Sequence, residues 1–131
     1  MTRPWYAPPF HTGIAAPLLG PLRASSVTVA VMSHAQVAVS CCRSGVRGGG
    51  MKDTLANILA TRECVVNIMS RWFVEAANYT CGPYDAGQNE FEIAGLTPLP
   101  SVAVAPPRVA ESAVHMECIL RHHWDVKNAE V

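Results

Sequence analysis

Residues 52–70, KDTLANILATRECVVNIMS, change hydrophobic period partway along, and that change sets the fold class. Leu55, Ile58 and Leu59 fall at i, i+3 and i+4, the single apolar stripe of an amphipathic helix predicted over 54–61. Asp53 is placed to cap it, because its carboxylate can accept an otherwise unpaired N–H of the first turn. From residue 64 the run CVVNIMS is short, apolar and rich in β-branched residues, which suits a buried strand better than more helix. Ser70 can then cap a second helix over 71–78, with Phe73, Ala76 and Ala77 facing inward.

Upstream, the stretch VTVAVMSHAQVAVSCC (27–42) alternates at Val27, Val29 and Val31 and again at Val37 and Val39. This predicts two strands broken near Ser33 and His34. Downstream, 80–90 is crowded with turn formers, and 102–104 reads as a short strand between proline-rich connectors. The longest strand is predicted over 114–126, where Val114, Met116, Cys118, Leu120, His122, Trp124 and Val126 share one face. These elements add up to a β-rich α+β domain, an antiparallel sheet with two short helices laid against it. Residues 1–26 are rich in Pro, Ala, Gly and Leu without a steady period. They read as a divergent or disordered leader, leaving 27–131 as the folded domain.

Half of the 131 residues are hydrophobic, enough for one core. Formal net charge is zero, so the chain as a whole has no bias toward nucleic acid. The charge is nevertheless divided. Arg3, Arg23, Arg43, Arg47 and Lys52 give the first 52 residues +5, and all ten acids fall after them with five bases, giving −5. No apolar run approaches the roughly 20 residues of a membrane span. Prolines at 4, 8, 9 and 17 interrupt any secretory core, so a cytoplasmic location is expected. The five cysteines include no Cys-x-x-Cys pair and read as reduced thiols; Cys64 and Cys118 sit within apolar segments.

Three constellations invite chemistry. The first is the glycine run 48–50 leading through Met51, Lys52, Asp53 and Thr54 into a helix. A helix start with a lysine and a hydroxyl suits an anion, although the spacing is neither a Walker A loop nor a dinucleotide fingerprint. On these residues alone, a phosphate grip and a mobile loop before a capped helix both remain open. The second is the histidine pair His122 and His123. Strand neighbours point to opposite faces, and Cys118 and His122 lie about 13 Å apart along a strand, too far for one zinc ion, so no metal site is expected. The third is the basic loop with Arg43, Arg47 and Lys52, which lacks the aromatics of a nucleic-acid surface. No nucleophile elbow or Cys–His–acid arrangement is present, and no catalytic side chain is expected.

Taken in order, KDTLANI, ECVVNIMS, VEAANYT, NEFEIAGLTPLPS and PPRVAESAVHMECIL resemble successive blocks of the flavin reductase-like proteins, which have the FMN-binding split-barrel fold. The resemblance runs from about Ser33 to Val126 and is densest from Lys52 to Leu120. It implies a six-stranded antiparallel barrel with short flanking helices. It also implies FMN as cofactor near a homodimer interface, and hydride transfer between NADH or NADPH and the flavin. By the same resemblance Lys52, Asp53 and Thr54 lie at the flavin phosphate and ribityl chain, with Asn78 and Thr80 near the flavin. Asp53 would cap the helix and orient the loop, since two anions repel. Hydride chemistry of this kind is carried by the cofactors, consistent with the absence of catalytic side chains.

The family pattern also includes strands and an N–APfS segment before Ser33, which YAPPFHTGIAAPLLGPL does not match, and further strands after HHWDV. The split barrel is therefore expected to be incomplete at both ends. The alternative function is a truncated, non-catalytic family member without a complete flavin site, which self-associates or is inactive.

Overall fold

The computed structural model describes residues 10–16, 23–33, 36–41, 51–82, 84 and 88–125. Three strands come first: β1 (Phe10–Ala16), β2 (Arg23–Ser33) and β3 (Gln36–Ser40). Helix α1 (Asp53–Thr61) leads into β4 (Glu63–Ile68). A 3₁₀ turn (Arg71–Phe73) runs into α2 (Val74–Tyr79), and α3 (Glu90–Ala94) follows. The two-residue strands β5 (Pro98–Leu99) and β6 (Arg108–Val109) precede β7 (His115–Ile119).

The main sheet has five antiparallel strands in the order β3-β2-β1-β4-β7, and β5 and β6 form a separate antiparallel pair. The predicted break near Ser33 is the β2–β3 reversal, with a register shift between Val31 and Ser33. The coil expected across 1–26 is corrected at two places, because β1 holds the middle of the sheet and β2 begins at Arg23. β1 pairs with β2 on one side and β4 on the other, and bonding on both edges overrides the weak strand preference of its Gly13 and alanines. The rest of that leader (1–9 and 17–22), the glycine loop with Arg43 and Arg47, Cys42 and Val126 lie outside the described residues.

Alternation along β4 separates two cores. Cys64 and Val66 face α1, where they meet Ile58. Val37, Val39 and Cys41 of β3 and its end pack against this cluster, and so do Met116, Cys118 and Leu120 from β7. β3 and β7 are opposite edges of the sheet, yet both reach the same side chains. The sheet is therefore curled around Ile58 like a barrel, although among the described residues its two edges are not hydrogen-bonded and the barrel is not closed.

On the other face, Phe73, Ala77, Phe91, Leu96 and Val109 form the second core. Its inward face on the second helix is as the spacing predicts: Phe73 and Ala77 are buried and Ala76 is half-buried. The helix itself begins as a 3₁₀ turn, and Ser70, in extended conformation, makes no side-chain capping bond.

Asn67 joins the second core to the sheet. Its Oδ1 accepts from the Val109 N–H at 3.0 Å and lies 2.9 Å from Nδ1 of His115, its register partner on β7. An amide oxygen can only accept, so His115 carries its proton on Nδ1.

Three sequence expectations are corrected here. A third α-helix, α3, follows the 80–90 loop where only two helices were expected, capped by the Asn89 side chain accepting from the Phe91 N–H and closed by Gly95 at φ 67°. The 102–104 strand is absent, because a carboxylate takes its N–H groups: Glu117 accepts from Val102 at 3.0 Å and from Ala103 at 2.5 Å. Nearby, the Ala105 N–H donates to Glu63 at 2.8 Å. The long last strand stops at Ile119, since β4 begins at Glu63 and offers no partner beyond it. Leu120 instead exchanges bonds with Arg62, the left-handed residue that ends α1. His122 and Trp124 lie past the strand and are exposed, their ring centroids 5.7 Å apart.

The Glu117 bracket has a pH signature. Backbone N–H groups of Val102 and Ala103, and then Arg108, hold its carboxyl below the usual carboxylate range. A depressed folded-state value means the contribution to stability is complete above the ordinary pKa of about 4.3 and is lost only as pH falls through the lower folded value. Amide exchange at Val102 and Ala103 is therefore expected to stay protected through pH 4.3 and to rise below it. In Glu117→Gln the protection should be weaker at neutral pH; unchanged protection there would show that the carboxylate does not hold the loop.

Candidate functional site

The candidate site is built at the start of α1. Lys52 stands in the N-cap position with φ −69° and ψ 146°, and Asp53 is the first helical residue. The expectation that Asp53 caps the helix is thus corrected by one position: Lys52 is the cap, and its side chain makes no capping bond. Its carbonyl accepts the Ala56 N–H at 3.0 Å, the first bond of the helix. Thr54 and Ile58, four residues apart and both buried, pin one face of α1, while Lys52 is half-buried and Met51 is exposed. A lysine thus stands at the positive end of a nine-residue helix that the curled sheet holds in place.

Asn57 adds a donor that sequence reasoning did not single out. Its Nδ2 is buried without a hydrogen-bond partner. Helical side chains lean toward the N-terminal end, so the amide of Asn57 leans over the turn of Asp53 and Thr54. An unmet buried donor costs about 1–3 kcal/mol unless a ligand or water completes it. The available signal was its polarity: it is the one amide within the apolar pattern of LANIL. A cation, a helix start and an unmet donor together fit an anionic group that accepts hydrogen bonds.

Asn78 and Thr80 are placed elsewhere, at the C-terminal end of α2, which packs into the core on the opposite face of β4 from Ile58. Thr80 is buried and its hydroxyl donates to the Ala77 carbonyl at 2.7 Å, so its proton is committed to ending the helix. Asn78 is exposed. The structure therefore brings Lys52, Asp53 and Thr54 together and sets Asn78 and Thr80 on a different helix.

A cleft of about 450 Å³ lies beside the second core, lined by Arg71, Trp72, Glu75, Leu96 and Glu111 among others. Trp72 is fixed there by its indole N–H donating to the Glu111 carbonyl at 2.7 Å. Among the described residues no cluster of three or more His, Cys, Asp or Glu side chains could hold a metal ion. No helix among them is long and apolar enough to cross a membrane.

Comparison with known proteins gives this geometry a context. Residues 20–131 match the model of the flavin reductase like domain. An uncharacterized protein of Aquifex aeolicus is 41% identical over 81 residues, 62% of this chain and 41% of its own length. Nitrilotriacetate monooxygenase component B from Bacillus cereus superimposes with a TM-score of 0.77 at 28% identity, over 88% of this chain and 58% of that one. A Shewanella frigidimarina protein with a split barrel domain gives a TM-score of 0.75 at 24% identity, over 90% and 58%, a likeness of fold. The chain thus spans less than two thirds of the length of each of these proteins.

Proposed function

Because this chain belongs to the flavin reductase-like domain family, we propose that it binds FMN, with the phosphate held at the start of α1, and serves a flavin-linked oxidoreductase reaction. The observation that carries this reading is a lysine at the N-cap of α1 with an unmet buried amide, that of Asn57, on the same helix. Lys52 supplies the charge for the phosphate and Thr54 anchors the turn against the sheet. Asp53, an acid in the first turn, favours the positive end of the helix. When bound, the flavin supplies hydride acceptance, with NADH or NADPH as the proposed donor. The protein's part is to hold and orient, so it needs no acid–base pair of its own. The proposed assembly is a homodimer, for which the open edges β3 and β7 of the described sheet offer pairing surfaces.

Titration with FMN, followed by quenching of flavin fluorescence, is expected to saturate in the micromolar range. A folded chain that leaves flavin fluorescence unchanged at tens of micromolar contradicts the proposal. A second reading, a family member that has lost flavin chemistry, is favoured by the commitment of the Thr80 hydroxyl to Ala77. Oxidation of NADH or NADPH that depends on both the chain and FMN rules that reading out.

A further inference from the structure

Cys64 and Cys118 are far apart in sequence and directly opposite in the sheet. They are register partners on the antiparallel strands β4 and β7, so their side chains leave on the same face. Directly opposed residues have Cα atoms about 4.5–5.5 Å apart, inside the range of roughly 4.4–6.8 Å that a disulfide spans. The Cys118 thiol donates to the Met116 carbonyl at 3.4 Å, and both sulfurs belong to the cluster around Ile58. Neither is in a disulfide, nor are Cys41 and Cys81. Cys64 is buried, whereas Cys118 is only half-buried, on a strand at the edge of the sheet.

We propose that Cys64 and Cys118 form a peroxide-responsive dithiol, in which Cys118 is the attacking sulfur and Cys64 the resolving one. The inference is independent of flavin binding. The neighbouring Cys118 and burial push the Cys64 thiol up and keep its proton on, and proximity to Cys64 draws the Cys118 pKa down to about 7. The Cys118 thiolate attacks one oxygen of hydrogen peroxide: an S–O bond forms, the O–O bond breaks, and hydroxide leaves carrying the thiolate's negative charge into the buffered solvent. The Cys64 sulfur then attacks the sulfenic sulfur of Cys118. The S–S bond forms, the S–O bond breaks, and hydroxide leaves as water with the Cys64 proton. Two electrons pass from the sulfur pair to the peroxide. The bridge would fasten the edge strand β7 to β4 beneath Ile58, on which α1 rests.

The test is one equivalent of hydrogen peroxide at neutral pH, followed by alkylation of remaining thiols and peptide mapping. The expected product is an intramolecular Cys64–Cys118 bridge reversed by dithiothreitol. Before oxidation, alkylation of Cys118 should run about tenfold faster than that of the exposed Cys81, with a half-point near pH 7. In Cys118→Ser, Cys64 should stay reduced under the same treatment. A bridge that instead involves Cys41, Cys42 or Cys81, or an alkylation rate at Cys118 no higher than at Cys81, overturns the proposal. The wild-type mapping decides even if the variant fails to fold.

Discussion

Phe91→Ala is expected to lower stability by about 3–5 kcal/mol, the usual cost of emptying a buried aromatic site. Phe91 is only 1% exposed and joins Phe73, Ala77, Leu96 and Val109 in the second core. It also supplies the N–H that Asn89 caps and the carbonyl that receives the Leu96 N–H at 2.8 Å. Truncation leaves those backbone bonds in place, so the loss isolates packing. A domain of this size has about 5–15 kcal/mol in total, and the variant should sit near the edge of folding. Urea denaturation should show a lower midpoint with an unchanged slope. Ile93→Ala, on the exposed side of the same short helix, should change stability by less than about 1 kcal/mol. Equal losses at the two positions would mean that α3 does not pack as described.

Asn67→Leu is the second large effect, at about 3 kcal/mol, although it keeps the branching of the side chain. Asn67 is 1% exposed, and its oxygen serves both the Val109 N–H and the His115 Nδ1–H. Leucine leaves both donors without a partner, at about 1–3 kcal/mol each if neither finds water. Burial first, and then Arg108, lowers the pKa of His115, so the neutral ring donating to Asn67 is the favoured state. Coupling between Asn67→Leu and His115→Ala, measured as a double-mutant cycle, is expected to be about 1 kcal/mol. Strict additivity would mean the two side chains do not share the bond.

Much of this architecture was legible in the sequence, and the reasons differ from element to element. The Leu55–Ile58–Leu59 stripe and the apolar run after Cys64 specify α1 and β4, because a covered helix face and a buried strand leave strong periodic marks. Alternation on β7 was equally legible: Met116 and Cys118 face one core, while His115 and Glu117 face the other side. Its length was not, since alternation marks side chains and says nothing of whether a partner strand continues. The strand ends where Arg62 closes α1. Equally hidden was the fate of 102–104, whose N–H groups are taken by a carboxylate fifteen residues away. β1 left almost no mark, because its pairing on both sides comes from tertiary context.

The candidate site divides in the same way. Lys52 and Thr54 could be read from a helix start behind glycines, a local signal. The resemblance to family blocks added Asn78 and Thr80, which stand at the end of α2, a position that no periodic pattern marks. Asn57 was overlooked because an amide within a helix looks like a surface residue until its burial is known.

The central claim is that the start of α1 holds the phosphate of a flavin nucleotide. FMN and riboflavin differ only by that phosphate, so their affinities for the wild-type chain and for Lys52→Ala form a direct cycle. A charge-assisted contact of about 1.5–3 kcal/mol predicts that wild type prefers FMN over riboflavin by roughly 10- to 100-fold, and that Lys52→Ala loses most of the preference while riboflavin binding is unchanged. Equal binding of the two flavins by wild type, or a preference for FMN that survives in Lys52→Ala, would contradict it.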